Sequence, residues 1–255
     1  MKNSFRIGKQ MLKGCLRAKS LSLIIFFLIS LITFMSMLSS SDSAYKKALV
    51  VDSGLSLINI FGLFLVAFVI LPVFPTEKEK RTLTATLSFN VSRSQYLWGL
   101  WLGASSALAL NFLAMSVILL IGLKYLAVSI EFGIFRQLFL NFLELMVLGS
   151  FAITVSVYFS YVVSAMITAA LYLVGHMTIS FQQAMHDWEG TTVGRILDVV
   201  WSIIPNLSLF NLKDIVLKNQ AIPATYELIA LIYALAMIFI AIEMASYRLN
   251  RENLM

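Results

Sequence analysis

Charge is scarce in this chain. Of its 255 residues, 13% are charged and 60% are hydrophobic, against about 25% and about 45–50% in soluble domains. That balance, with a mean hydropathy of +0.88, excludes a water-soluble globule. No polar stretch is long enough to close around a core of its own, so residues 1–255 read as one integral membrane domain. Cysteine occurs once, as Cys15, which rules out a disulfide within the chain. With only two histidines there is no Cys/His cluster. A metal site would have to be built on His186, Asp187 and Glu189, and none is expected. Neither G-x-S-x-G nor H-E-x-x-H occurs, and no G-x-x-x-x-G-K-[ST] phosphate loop is present, so the usual mode of ATP binding is excluded and no enzymatic activity is expected.

What the chain has in abundance is long apolar runs. A spanning helix needs about 20 mostly apolar residues, and the segments that qualify are Leu21–Leu38, Gly54–Phe74, Tyr96–Leu123, Leu138–Phe159, Val162–Phe181 and Ala224–Ala245. A turn is expected between the fourth and fifth, because one helix from Leu138 to Phe181 would be about 66 Å long, twice the hydrocarbon thickness. Tyr158 and Tyr161 are the interfacial aromatics of that turn. The expected fold is an all-α polytopic membrane protein with six transmembrane helices.

Orientation follows from Lys and Arg. With the N-terminus inside, 12 of the 19 basic residues fall on the cytoplasmic side and 7 on the outer side. The positive-inside rule therefore places both termini in the cytoplasm, and the net charge of +6 requires no nucleic acid. The basic preamble is too long and patterned for a cleaved signal peptide and reads as part of a retained signal anchor. Residues 4–20 place Ile7, Gly8, Met11, Leu12, Cys15 and Leu16 on one helical face, with Arg6, Lys9, Lys13 and Arg17 mostly on the other. This is the pattern of an interfacial helix on an anionic leaflet, the alternative being a basic tail.

Residues 75–95 form the one substantial cytoplasmic loop and hold Glu77, Lys78, Glu79, Lys80, Arg81 and Arg93. Thr76 with Glu79 has the form of a capping box, and Ser92 with Gln95 forms another, flanked by Val91 and Tyr96 at staple spacing. The spacing predicts a short helix from about Glu77 to Ser88, with Leu83 and Leu87 as its apolar edge, and a capped start to the third span. Such an element is either a docking helix for a cytoplasmic partner or a solvated loop that obeys the positive-inside rule.

The string EKEKRTLTATLSFNVSRSQYLWGLWLG resembles the first cytoplasmic loop of type-2 ABC export permeases. Glu77, Glu79, Thr82, Leu83, Ser92, Arg93 and Gly99 carry the likeness, while Arg81 stands where a glycine is common and Leu100 where a lysine is common. An amphipathic elbow helix, six spans and a long outer segment before the last span agree with that family's plan. PNLSLFNL is similar, over a shorter stretch, to permeases linked to maturation of multicopper enzymes. The resemblance implies a permease subunit in the bacterial cytoplasmic (inner) membrane. It would pair with a second permease chain, identical or not, and with two copies of a separate ABC ATPase subunit that would bind ATP and Mg. It assigns ATPase coupling to Thr76, Glu77, Glu79, Arg81, Leu83, Leu87 and Arg93, and expects no cofactor on this chain. A secondary transporter or channel without an ATPase is the alternative.

Residues 182–223 form an outer hairpin segment whose two amphipathic pieces are too short to span but apolar enough to re-enter or lie on the bilayer. Polar residues inside the spans are few. Asn111 lies in the third, Asn141 and Glu144 in the outer half of the fourth, and Tyr172 with His176 at i, i+4 in the fifth. Of these, Asn111, Glu144, Tyr172 and His176 are candidate pathway residues, because an intramembrane carboxylate costs about 3 kcal/mol and marks a functional group by default. The alternative for Glu144 is a protonated or paired packing residue, and for His176 a satisfied core histidine.

Overall fold

The computed structural model describes residues 7–8, 12, 19–38, 43–79, 92–177, 204–217, 223 and 225–251. Among them every regular element is helical. In chain order they are α1 (Lys19–Leu38), α2 (Ser43–Leu65), a π-helical stretch (Val66–Ile70), α3 (Val73–Glu79), α4 (Arg93–Tyr125), α5 (Phe132–Tyr158), α6 (Tyr161–His176), a 3-10 turn (Leu207–Phe210), α7 (Lys213–Leu217) and α8 (Thr225–Arg251). Four stretches are long and apolar enough to cross a membrane, namely Lys47–Glu79, Arg93–Tyr125, Phe132–Tyr158 and Thr225–Arg251. The apolar helices Leu21–Met37 and Tyr161–His176 are shorter.

Side-chain ties fix how the helices run. Lys47, in the first turns of α2, pairs with Glu131 at the start of α5, and Arg136 of α5 pairs with Glu227 at the start of α8. At the opposite end the Arg93 guanidinium, at the start of α4, donates to the Leu249 carbonyl near the end of α8. Hence α2, α5 and α8 run one way and α4 runs the other. The contact with Leu249 also puts a cation against the carbonyl-rich C-terminus of a helix, where the macrodipole favours it.

The core is built where these helices meet, from Leu55, Ile58, Leu97, Leu100, Leu108, Leu145, Leu148 and Ile242, all essentially inaccessible. At Gly62 a Cβ would lie 2.5 Å from Leu145 Cδ1, so the side chain of α5 fills the space that glycine leaves on α2. Small residues that let helices close on one another are the usual packing device where lipid supplies no hydrophobic drive. The outward faces are equally apolar: Leu21, Ile25, Phe26, Ile29 and Ile32 of α1, and Leu228, Ile229, Ile232, Leu235 and Phe239 of α8, are all exposed. Stripes that large match a hydrocarbon surrounding, not water.

The second span differs from its expected form. It begins eleven residues before Gly54, at Ser43, and continues through the π stretch and α3 to Glu79. Leu71 N–H donates to Val66 O at 2.9 Å, an i to i−5 bond that sets the extra residue just before Pro72. Pro75 falls in the first turn of α3, where its missing amide costs nothing. As a result the helix restarts at Val73, and the Thr76 amide is already bonded to Pro72 O at 3.0 Å. The expected capping box at Thr76 and Glu79 is therefore corrected: Thr76 is inside a helix, not before one, and Glu77 prolongs the span. The second box is present as expected, with Gln95 N–H donating to Ser92 Oγ at 3.2 Å and Ser92 N–H to Gln95 Oε1 at 3.4 Å.

The expected turn between the fourth and fifth spans falls at Phe159 and Ser160. Of the expected interfacial helix 4–20, the described Ile7 and Gly8 are helical and pack toward α4, where a Cβ on Gly8 would come within 3.2 Å of Gly99 O. Of the expected docking helix, Arg81, Leu83 and Leu87 lie outside the described residues.

Candidate functional site

One face of α5 is polar although it is wholly buried. Gln137, Asn141 and Glu144, at i, i+4 and i+7, are each 1% exposed or less. At 1.5 Å per residue Glu144 lies about 18 Å along α5 from Phe132, near the middle of a bilayer. An isolated carboxylate at that depth would be costly. It meets His176, whose Nε2 is 2.8 Å from Glu144 Oε1. The sequence separation is 32 residues, and the pair forms because α6 is short: it ends at His176, level with the middle of α5. Tyr172, one turn earlier on α6, sets its ring edge-on to the imidazole with centroids 4.6 Å apart.

The end of α6 leaves carbonyls without intrahelical donors, and a later part of the chain supplies one. Ser208 Oγ–H lies 2.9 Å from His176 O and 3.3 Å from Gly175 O. This close approach needs Gly175, because a Cβ there would be 2.7 Å from Leu207 Cγ and 3.0 Å from Pro205 O. The same irregular stretch, residues 205–212, is gripped from α5 by Gln137, whose Nε2–H donates to Phe210 O at 3.0 Å and whose Oε1 accepts from Leu212 N–H at 2.7 Å. From α8 it is held by Tyr226 O–H, which donates to Leu209 O at 2.6 Å, and by Tyr233 Oη, which accepts from Asn206 N–H at 2.7 Å. Non-helical backbone at membrane depth survives only when protein satisfies its polar groups, and these three side chains, Gln137, Tyr226 and Tyr233, supply four such bonds.

Gln137 also donates to Asn141 Oδ1. Two polar atoms of the cluster, Asn141 Nδ2 and Glu144 Oε2, are buried without a hydrogen-bond partner. Among the described residues no group of three or more His, Cys, Asp or Glu could hold a metal ion.

Three of the four candidate pathway residues are thus brought together: Glu144, Tyr172 and His176. Asn111 is buried on α4 and turns back on its own helix, donating to Ala107 O at 2.7 Å. Gln137, Ser208 and Gly175 are missing from the residues picked out of the sequence. The polar spacing 137, 141, 144 in an apolar run was a legible signal for the first; the other two depend on a contact between distant parts of the chain. At the Arg93 end, Glu243 accepts a hydrogen bond from the Trp98 indole N–H at 2.9 Å, and Trp98 in turn packs on Trp101 and Phe239. Of the residues expected to contact an ATPase, Thr76, Glu77 and Glu79 end the second span and Arg93 opens α4, so the two described ends of the loop are both helical.

Compared with models of known protein families and with curated proteins, the sequence matches none.

Proposed function

We propose that the chain is the transmembrane permease subunit of an ATP-driven exporter of the type-2 ABC class, with six spans in a bacterial cytoplasmic membrane and both termini in the cytoplasm. The observation that carries this reading is the setting of the loop that resembles that family's coupling loop. On one side it leaves α3, which is continuous with the second span as far as Glu79; on the other it enters α4 through the capped Ser92, and Arg93 ties that start to the end of α8. A push on residues 80–91 would reach three spans through helical segments rather than slack chain. Thr76, Glu77, Glu79, Arg81, Leu83, Leu87 and Arg93 would form the contact with a separate ATPase, two copies of which would serve two permease chains. The sequence has no phosphate loop, which fits that division of labour.

A second reading has its own support. An intramembrane carboxylate paired with an imidazole beside an irregular buried segment is a feature of secondary transporters. Copurification separates the two: an ATPase retained by the native permease supports the exporter, and proton-driven flux through the chain alone supports the other.

A further inference from the structure

We propose that Glu144 and His176 form a proton-binding site, with the imidazole as the carrier between the protein surface and a carboxylate that water does not reach. The two partners differ in access. The Glu144 side chain is 1% exposed and that of His176, the last residue of α6, is 22% exposed. A proton bound for Glu144 therefore arrives through the ring.

The geometry lets this happen without moving a heavy atom. In one state neutral His176 carries its proton on Nε2 and donates to the Glu144 carboxylate. Nδ1 takes a proton from hydronium, which is left as water, giving the imidazolium, and the Nε2 proton crosses the 2.8 Å hydrogen bond to Glu144 Oε1. What remains is a neutral imidazole with its proton on Nδ1, accepting from the Glu144 carboxylic acid. One proton has been taken up, no electrons have moved, and the charge of the buried pair has changed from −1 to zero.

Glu144 Oε2 has no donor, so the carboxyl group is held by its hydrogen bond to His176 alone. Among the described residues, other ionisable groups on neighbouring elements are engaged elsewhere: Glu243 of α8 accepts from Trp98, Arg93 of α4 donates to Leu249 O, and Arg248 and Arg251 lie over the Tyr158 and Tyr247 rings. From α6, Tyr172 touches the His176 ring. Residues 205–212 contain none, and Lys213 beyond them reaches Ser56 on α2. On α8, Glu227 is paired with Arg136 of α5, and Tyr226 and Tyr233 are engaged with residues 206 and 209. On α2, Lys47 is paired with Glu131 and Asp52 is exposed; on α4, Lys124 is exposed; and Glu77, Lys78 and Glu79 lie at the far end of the bundle. The site holds whichever energy source drives transport.

The test is infrared spectroscopy of the full-length protein in lipid, unlabelled and with ¹³C-carboxyl glutamate. The expected result is a glutamic acid C=O band, shifted by the label, that appears reversibly as pH falls and is missing from Glu144→Gln. In His176→Gln its exchange with deuterated water slows by about a hundredfold or more, the low end of what a positioned acid–base group contributes. Should Glu144→Gln fail to fold, the labelled wild type and His176→Gln carry the test. Absence of a label-sensitive band at every pH where the protein is folded, its survival in Glu144→Gln, or unchanged exchange in His176→Gln would overturn the proposal.

Discussion

The Tyr161 hydroxyl donates to the Ala67 carbonyl at 3.3 Å, joining the turn after α5 to the π-helical stretch of the second span. The bond answers a local defect. Leu71 N–H, the ordinary α-helical donor to Ala67 O, goes instead to Val66 O, and the next residue, Pro72, has no N–H. Ala67 O is thereby left without a backbone donor, and a side chain from another helix supplies one. Tyr161→Phe is expected to lose about 0.5–1.5 kcal/mol of stability with the helix content unchanged, as read by denaturant unfolding in detergent followed by circular dichroism.

Gly175→Ala should act on a different joint. The added methyl would meet Leu207 and the Pro205 carbonyl, neither of which can yield without loosening the grip of Ser208 on the end of α6. A cost of about 1–3 kcal/mol follows from overpacking. Limited proteolysis near residue 205 in the folded state should rise with it, while Ala165→Gly on the same helix should leave cleavage as in the native protein.

Ala127 offers a prediction of the opposite sign. It closes α4 with φ 55, and Val128 N–H bonds back to Leu123 O at 3.0 Å, the arrangement in which glycine is normally found. Replacing it with Gly removes the clash of a Cβ in the left-handed region, and Ala127→Gly is expected to raise stability by up to about 1 kcal/mol. An unchanged or lower unfolding midpoint would contradict this account of the turn.

Orientation is open to direct measurement. In a Cys15→Ser background, cysteines placed at Lys46, Lys124 and Lys213 should react with an impermeant thiol reagent in intact cells, and one at Lys80 should not. Labelling of the Lys80 position from outside would reverse the scheme and the place assigned to the coupling loop.

How much of this was legible in the sequence depended on how local each feature is. Long apolar runs and the charge-free turn at residues 159–160 stand out because a membrane demands them, and the Ser92–Gln95 box reads correctly because it spans four residues. Thr76 and Glu79 have the same spacing yet form no box, since Pro72 and the π stretch upstream had already restarted the helix at Val73. The pairing of Glu144 with His176 could not be read at all beyond the rarity of each residue. It depends on α6 ending halfway along α5, and that in turn on Ser208 and Gln137 holding residues 205–212 against both helices.

The central claim, that residues 75–95 couple this permease to a separate ATPase, is tested most directly by affinity purification of the tagged chain from its native membrane. The account predicts that an ABC ATPase copurifies with the unaltered protein. With Leu83→Asp or Leu87→Asp it should be lost while the permease stays inserted. Native permease that carries no ATPase, or Asp variants that retain it in full with normal export, would contradict the account.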